Sequence, residues 1–167
     1  MEARAKILGH PVHQMLIVLP LGLLMGAVIF DVIHLATDDT EWSAVTYRLI
    51  PAGILTGLLA AVFGLLDWSR IPAGTRAKRV GTVHGVGNVV VVALFALSWY
   101  LRDAPEVAPG TLPLLLSFAG GGLALFTGWL GGELVDRLSV GVDDGANVNA
   151  PSSLSGRPAS EHVGARA

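Results

Sequence analysis

Four stretches of the chain contain no Asp, Glu, Lys or Arg: Ile7 to Phe30, Leu49 to Leu66, Val80 to Leu101 and Val107 to Gly132, of 24, 18, 22 and 26 residues. About 20 helical residues at ~1.5 Å each cross a hydrocarbon layer of about 30 Å. Hydrocarbon offers no partner to a backbone amide, so each run must be a helix. The expected fold class is therefore all-α, an integral membrane four-helix bundle. Its transmembrane domain covers residues 1–142, with spans at about 11–35, 46–66, 82–101 and 112–132. A cleaved signal peptide over residues 1–30 fits less well, because the apolar run is long and three more follow.

Punctuation agrees with these limits. Pro11 suits a first helical position and Pro20 is expected to kink the first span. Polar turns close the first and third spans at Asp38-Asp39-Thr40-Glu41 and Arg102-Asp103-Ala104-Pro105-Glu106. Arg4 and Lys6 precede span one, and Arg70, Arg76, Lys78 and Arg79 lie between spans two and three. The other two loops hold only Arg48 and Arg102. Positive residues favour the cytoplasm, which predicts a multi-pass protein of the bacterial inner membrane with both termini inside. Residues 143–167, rich in Ser, Pro, Ala and Gly, are expected to form a disordered C-terminal tail.

Composition excludes several chemistries. A net charge of -2 excludes nucleic-acid binding by bulk charge. The absence of cysteine excludes disulfides, iron–sulfur clusters, c-type haem attachment and thiol catalysis in this chain. The sequence has no phosphate loop, zincin helix or nucleophile elbow, so no catalytic residue is assigned.

Of the twenty-one glycines, eight form pairs four apart within the spans, one pair in each: Gly22/Gly26, Gly53/Gly57, Gly81/Gly85 and Gly128/Gly132. Small residues four apart let helix backbones approach closely. Gly53, Gly57, Ala60, Gly64 and Asp67 share one face of span two, and Gly121, Gly128 and Gly132 share another on span four.

Ionisable groups inside spans are costly and mark functional candidates. One leaflet collects His10, His13, Asp67, His84, Asn88, Glu133 and Asp136 from all four spans. Three readings stay open. In the first, His84 and either His10 or His13 ligate a b-type haem, Asn88 orients a ligand, and Arg70, Arg76, Lys78 and Arg79 hold propionates. In the second, His10, His13, His84, Asp67 and Glu133 form a mixed site for zinc, manganese or iron. In the third, these groups merely cap helices, and the protein is a cofactor-free structural membrane subunit. It would bind a partner, or a second copy of itself, through its glycine seams. Asp31 and His34, three apart on the other leaflet, read either as a proton-handling pair or, the favoured reading, as groups that snorkel to water.

Several motifs carry a resemblance. Gly9-His10-Pro11-Val12-His13, Asp67-Trp68, Gly128-Trp129-Leu130-Gly131-Gly132-Glu133-Leu134-Val135, and His84 with Asn88 resemble a bacterial family of four-helix membrane proteins, domain of unknown function 2231. The likeness covers roughly residues 7–142. It implies a four-span inner-membrane protein whose characteristic residues include His10, His13, His84, Asn88, Gly131, Gly132 and Glu133. Members fused to Rieske-type iron–sulfur domains imply an electron-transfer partner. Gln14 stands where the family often has proline, and Asp136 and Leu138 replace a tyrosine and a histidine.

Overall fold

A computed structural model describes residues 1–163. It has four helices long and apolar enough to cross a membrane: Val12–Thr37, Thr40–Arg70, Arg76–Tyr100 and Thr111–Arg137. Span one packs along span two and span three along span four; contacts of two with three and one with four close the ring. The connections are short, so neighbouring spans run antiparallel. Residues 1–11, the chain leaving Arg137 and the 71–75 connection therefore lie at one face, called here the terminal face. The connections at residues 38–39 and 101–110 lie at the far face.

The core combines all four spans: Leu24, Ala27, Ile50, Val91, Phe95 and Ala124. Outside it, Leu55, Leu58, Val62, Leu65, Val86, Val89, Leu115 and Leu125 are exposed, an apolar surface suited to lipid. Pro20 has the expected effect. It offers no amide to the Leu16 carbonyl, and the helix is interrupted at Ile17, between Val12–Leu16 and Val18–Thr37.

Three span limits differ from the apolar runs. Span two begins at Thr40, about a turn and a half before the expected 46, with the Asp39 side chain accepting from the Glu41 amide at 2.9 Å. Span three begins at Arg76 instead of 82, with Thr75 Oγ1 accepting from the Lys78 amide at 3.1 Å. These first turns are polar and capped, so they are helical without belonging to the hydrocarbon segment. Span one starts at Val12, because His10–Pro11 pairs with Lys6–Ile7 in a two-stranded ladder. Leu8 and Gly9, with φ of 51° and 85°, make its two-residue turn.

After span four the chain continues as a π-helical turn, Glu133–Arg137. Residues 143–163 of the expected tail form turns, with Asn147 Nδ2 donating to the Ala159 carbonyl at 2.9 Å. The Val163 amide donates to the Asn149 carbonyl at 2.8 Å. Residues 164–167 of that tail lie outside the described residues.

Candidate functional site

The small residues of span two face span one. A Cβ on Gly53 would stand 2.7 Å from Leu24 Cγ, and one on Gly64 would stand 2.8 Å from Cε1 of His13. The His13 ring thus lies flush on the second helix, where its Nδ1 and the Ala60 carbonyl are 2.9 Å apart. Only the nitrogen can donate, so Nδ1 carries a proton, and in the neutral ring Nε2 keeps the lone pair.

His84 is placed alike against span four. Its Nδ1 is 2.8 Å from the Thr127 carbonyl, and a Cβ on Gly131 would stand 3.3 Å from its Cε1. Asn88, one turn on, donates Nδ2 to the His84 carbonyl at 2.9 Å and to Nε2 at 3.2 Å. Thr127 Oγ1 donates to Asn88 Oδ1 at 3.1 Å, which fixes the amide's orientation.

The remaining candidates are elsewhere. His10 is exposed on the ladder, with Nε2 3.5 Å from Ser153 Oγ, so His10 and His13 do not share a helix face. Asp67 is buried and accepts the Arg4 amide at 2.7 Å, while Glu133 pairs with Arg76. Among the described residues, no three His, Asp or Glu side chains are grouped so as to hold a metal ion. The five residues of the mixed-metal reading thus do not assemble, because each carboxylate already serves a backbone amide or an arginine. Lys78 Nζ donates to the Trp68 carbonyl at 2.8 Å and lies 3.5 Å above that ring's centroid. Arg79 and Lys78 line an open cleft of about 370 Å³ together with Gly74, Thr82 and Val83. A second cleft of about 180 Å³ is lined by Trp129, Gly132, Glu133, Asp136 and Arg137. Neither cleft is lined by His13 or His84.

Outside the spans, the hydrogen bond to Asp143, followed by that to Glu2, holds the Lys6 ammonium above its ordinary value.

The far face departs most from expectation. Asp31 does not snorkel; it is fully buried. Arg102, equally enclosed, donates Nη1 to Asp31 Oδ1 at 3.0 Å and Nη2 to Oδ2 at 2.7 Å. Ser98 Oγ, 3.5 Å from Nη2, donates to the Pro113 carbonyl at 2.7 Å. His34 is buried too, with Nδ1 2.9 Å from the Asp39 carbonyl. A hydrocarbon setting leaves such charges only each other, and the bidentate geometry satisfies the carboxylate and both Nη nitrogens. Arg102 Nε has no partner among the described residues. Arg102 had read as a polar turn after span three. One sequence signal marks the pair: Asp31 follows His13 by 18 residues, and Arg102 follows His84 by the same 18. Thr127 went unnoticed, and Ala60 was read only as a small residue of the span-two face, since a main-chain acceptor leaves no mark in a sequence.

The glycine seams point inward. Gly53, Gly57 and Gly64 meet Leu24, Pro20 and His13, and Gly120, Gly121 and Gly131 meet Phe95, Val28 and His84. On span four, Gly128 and Gly132 do not continue the seam of Gly121: a Cβ on either, like one on Gly22, Gly85 or Gly122, would meet no described atom within 4 Å.

A family model described as "Predicted membrane protein (DUF2231)" matches residues 9–144. No curated protein and no solved structure matches the chain.

Proposed function

Since the chain belongs to the DUF2231 family of predicted membrane proteins, we propose that it is an electron-transfer module of the bacterial inner membrane. In this reading both termini are cytoplasmic, and His13 and His84 would hold a b-type haem. The observation that carries this reading is the shared tautomer of the two rings. Each Nδ1 donates to a main-chain carbonyl of the following span, at 2.9 Å from Ala60 and 2.8 Å from Thr127, so each Nε2 is an acceptor. Two such nitrogens would suit a haem iron, and the carbonyls would hold both rings in place. A haem so held supplies reversible one-electron chemistry.

The chain's own residues do the rest. Gly64 and Gly131 allow the rings to lie against the helices. Asn88, fixed by Thr127, steers His84 and would yield its 3.2 Å bond to Nε2 when that nitrogen ligates. Arg70 and Arg79 are exposed at the terminal face and suit propionates. Arg76 and Lys78 are committed to Glu133 and Trp68. His10, exposed on its ladder, takes no part. The Lys and Arg excess of the terminal face supports the cytoplasmic orientation, and a Rieske-type protein is the partner class that the family's fusions favour.

The test is a visible spectrum of protein purified in detergent from haem-replete cells, with and without dithionite. A sharpened α-band on reduction, lost in His13→Ala and His84→Ala and retained in His10→Ala, is expected. A colourless wild-type protein removes the reading.

The open faces of Gly128 and Gly132, beside exposed Phe126 and Trp129, favour a second reading. In it the protein is a cofactor-free structural subunit that docks a partner helix, or a second copy, on span four. A cross-link from Gly128→Cys to another chain, in a colourless protein, would select it.

A further inference from the structure

Spans one and two make the same contacts as spans three and four, at the same register. In the first hairpin the His13 ring bonds the Ala60 carbonyl and lies on Gly64, and Leu24 lies on Gly53. Thr46 Oγ1 donates to the Ala27 carbonyl at 3.1 Å. Moving 71 residues along the outgoing helix and 67 along the returning one reproduces all of these. His84 bonds the Thr127 carbonyl and lies on Gly131, Phe95 lies on Gly120, and Ser98 bonds the Pro113 carbonyl. Only the hydroxyl has changed sides, from Thr46 on the returning helix to Ser98 on the outgoing one.

Antiparallel helices repeat their contacts at regular intervals, so a single matched pair would bring other registers with it. Register does not dictate chemistry. A ring on a glycine, a large apolar side chain on a glycine and a hydroxyl on a carbonyl recur at the same places, and Val12-His13 and Val83-His84 are the same dipeptide. Both outgoing helices leave from the terminal face, so the copies are related by rotation about the membrane normal.

We infer that the chain is two copies of one helical hairpin related by a pseudo-twofold axis along the membrane normal, and that this axis makes His13 and His84 equivalent halves of one two-imidazole site. Positions close to such an axis meet their own counterparts. Asp31 and Arg102, counterparts 71 residues apart, do meet, at 3.0 and 2.7 Å. Leu24 and Phe95, also counterparts, share the core. His13 and His84 are the counterparts at the other end, each 18 residues before Asp31 or Arg102, about five helical turns, and so on the same face of the chain. A ligand for this site must show the same valence to a donor on either side, as a planar metal centre with two axial positions does. The ligand class rests on the haem reading; the equivalence of the histidines does not.

The cysteine-free sequence makes the test clean. His13→Cys with His84→Cys, and Asp31→Cys with Arg102→Cys, are placed in the full chain carrying a protease site between Ile71 and Thr75. Membranes are treated with a short bifunctional maleimide and then cut. Halves that stay joined for both pairs, and separate for His13→Cys with Arg102→Cys, support the axis. Halves that separate for the histidine pair while the Asp31/Arg102 pair stays joined overturn it. With native histidines in place, purified protein is titrated with haem. Matching five-coordinate spectra in His13→Ala and His84→Ala are expected, and unlike spectra overturn the equivalence. A wild-type protein that takes up no haem removes only the ligand class, because cross-linking still decides the geometry.

Discussion

His13 and His84 each give a ring proton to a carbonyl on the neighbouring helix, whereas Asp31 and Arg102, at the other end of the same two helices, pair with each other. Two like imidazoles have nothing to exchange and, as neutral rings, keep a lone pair apiece. A carboxylate and a guanidinium cancel each other's charge. The difference separates a place with valence left for a third party from one that only fastens spans one and three together. It also shows how a repeated hairpin can be kept from pairing with its own copy: at Asp31 and Arg102, like-with-like pairing would bury two charges of one sign.

The largest effect should come from breaking the fastened end. Asp31→Ala or Arg102→Ala leaves a buried charge unpaired, which costs about 3–5 kcal/mol. Thermal unfolding in detergent should show either variant far less stable than the exchange Asp31→Arg with Arg102→Asp. Equal losses in all three would mean that more than the pairing is at stake. Next come the glycines at the hairpin interfaces. Gly53→Ala and Gly120→Ala place a Cβ 2.6 Å from Leu24 Cδ2 and 2.8 Å from Phe95 Cε2. Each should cost about 1–3 kcal/mol by overpacking, and similar losses at the two sites would sharpen the correspondence of the hairpins. Thr127→Val removes the Asn88 bond while keeping shape, for about 1 kcal/mol, and should broaden any spectroscopic signature of His84 more than that of His13. A gain of about 0.5–1 kcal/mol is expected for Gly85→Ala, from helix propensity alone.

The smallest effect is at the N-terminal ladder, where Asp143 and Glu2 hold Lys6 protonated above its ordinary 10.5. A raised lysine contributes fully below that value and loses its contribution as pH rises through the elevated one. Proteolysis of residues 1–11 should therefore quicken only in strong alkali, with no change in Lys6→Met over the same range.

The spans were legible because charge-free runs of 18 to 26 residues leave a chain few alternatives. Their polar first turns at Thr40 and Arg76 were not, since hydropathy ends where the hydrocarbon does and hydrogen bonding does not. His84 and Asn88 could be joined by helical spacing alone. His10 and His13 could not be separated, because the ladder that carries His10 away depends on Lys6–Ile7 folding back. Asp31 and Arg102 were visible as residues but not as partners. Their meeting depends on the rotation of two helices that are not sequence neighbours, fixed by packing of Leu24, Gly53, Phe95 and Gly120. The repeat was hidden because few residue identities survive between the hairpins, while the contacts do.

Span one runs 24 residues beyond His13 to Thr37, and span three only 16 beyond His84 to Tyr100. With the two histidines level, the first hairpin overtops the second by eight residues, about 12 Å of helix. Its crest bears Asp38, Asp39 and Glu41, whereas the lower hairpin ends in a ten-residue loop, residues 101–110. The loop leans on the taller hairpin, its Val107 carbonyl accepting from Ser43 Oγ at 3.3 Å, and its own Asp103 and Glu106 extend the acidic rim on that side.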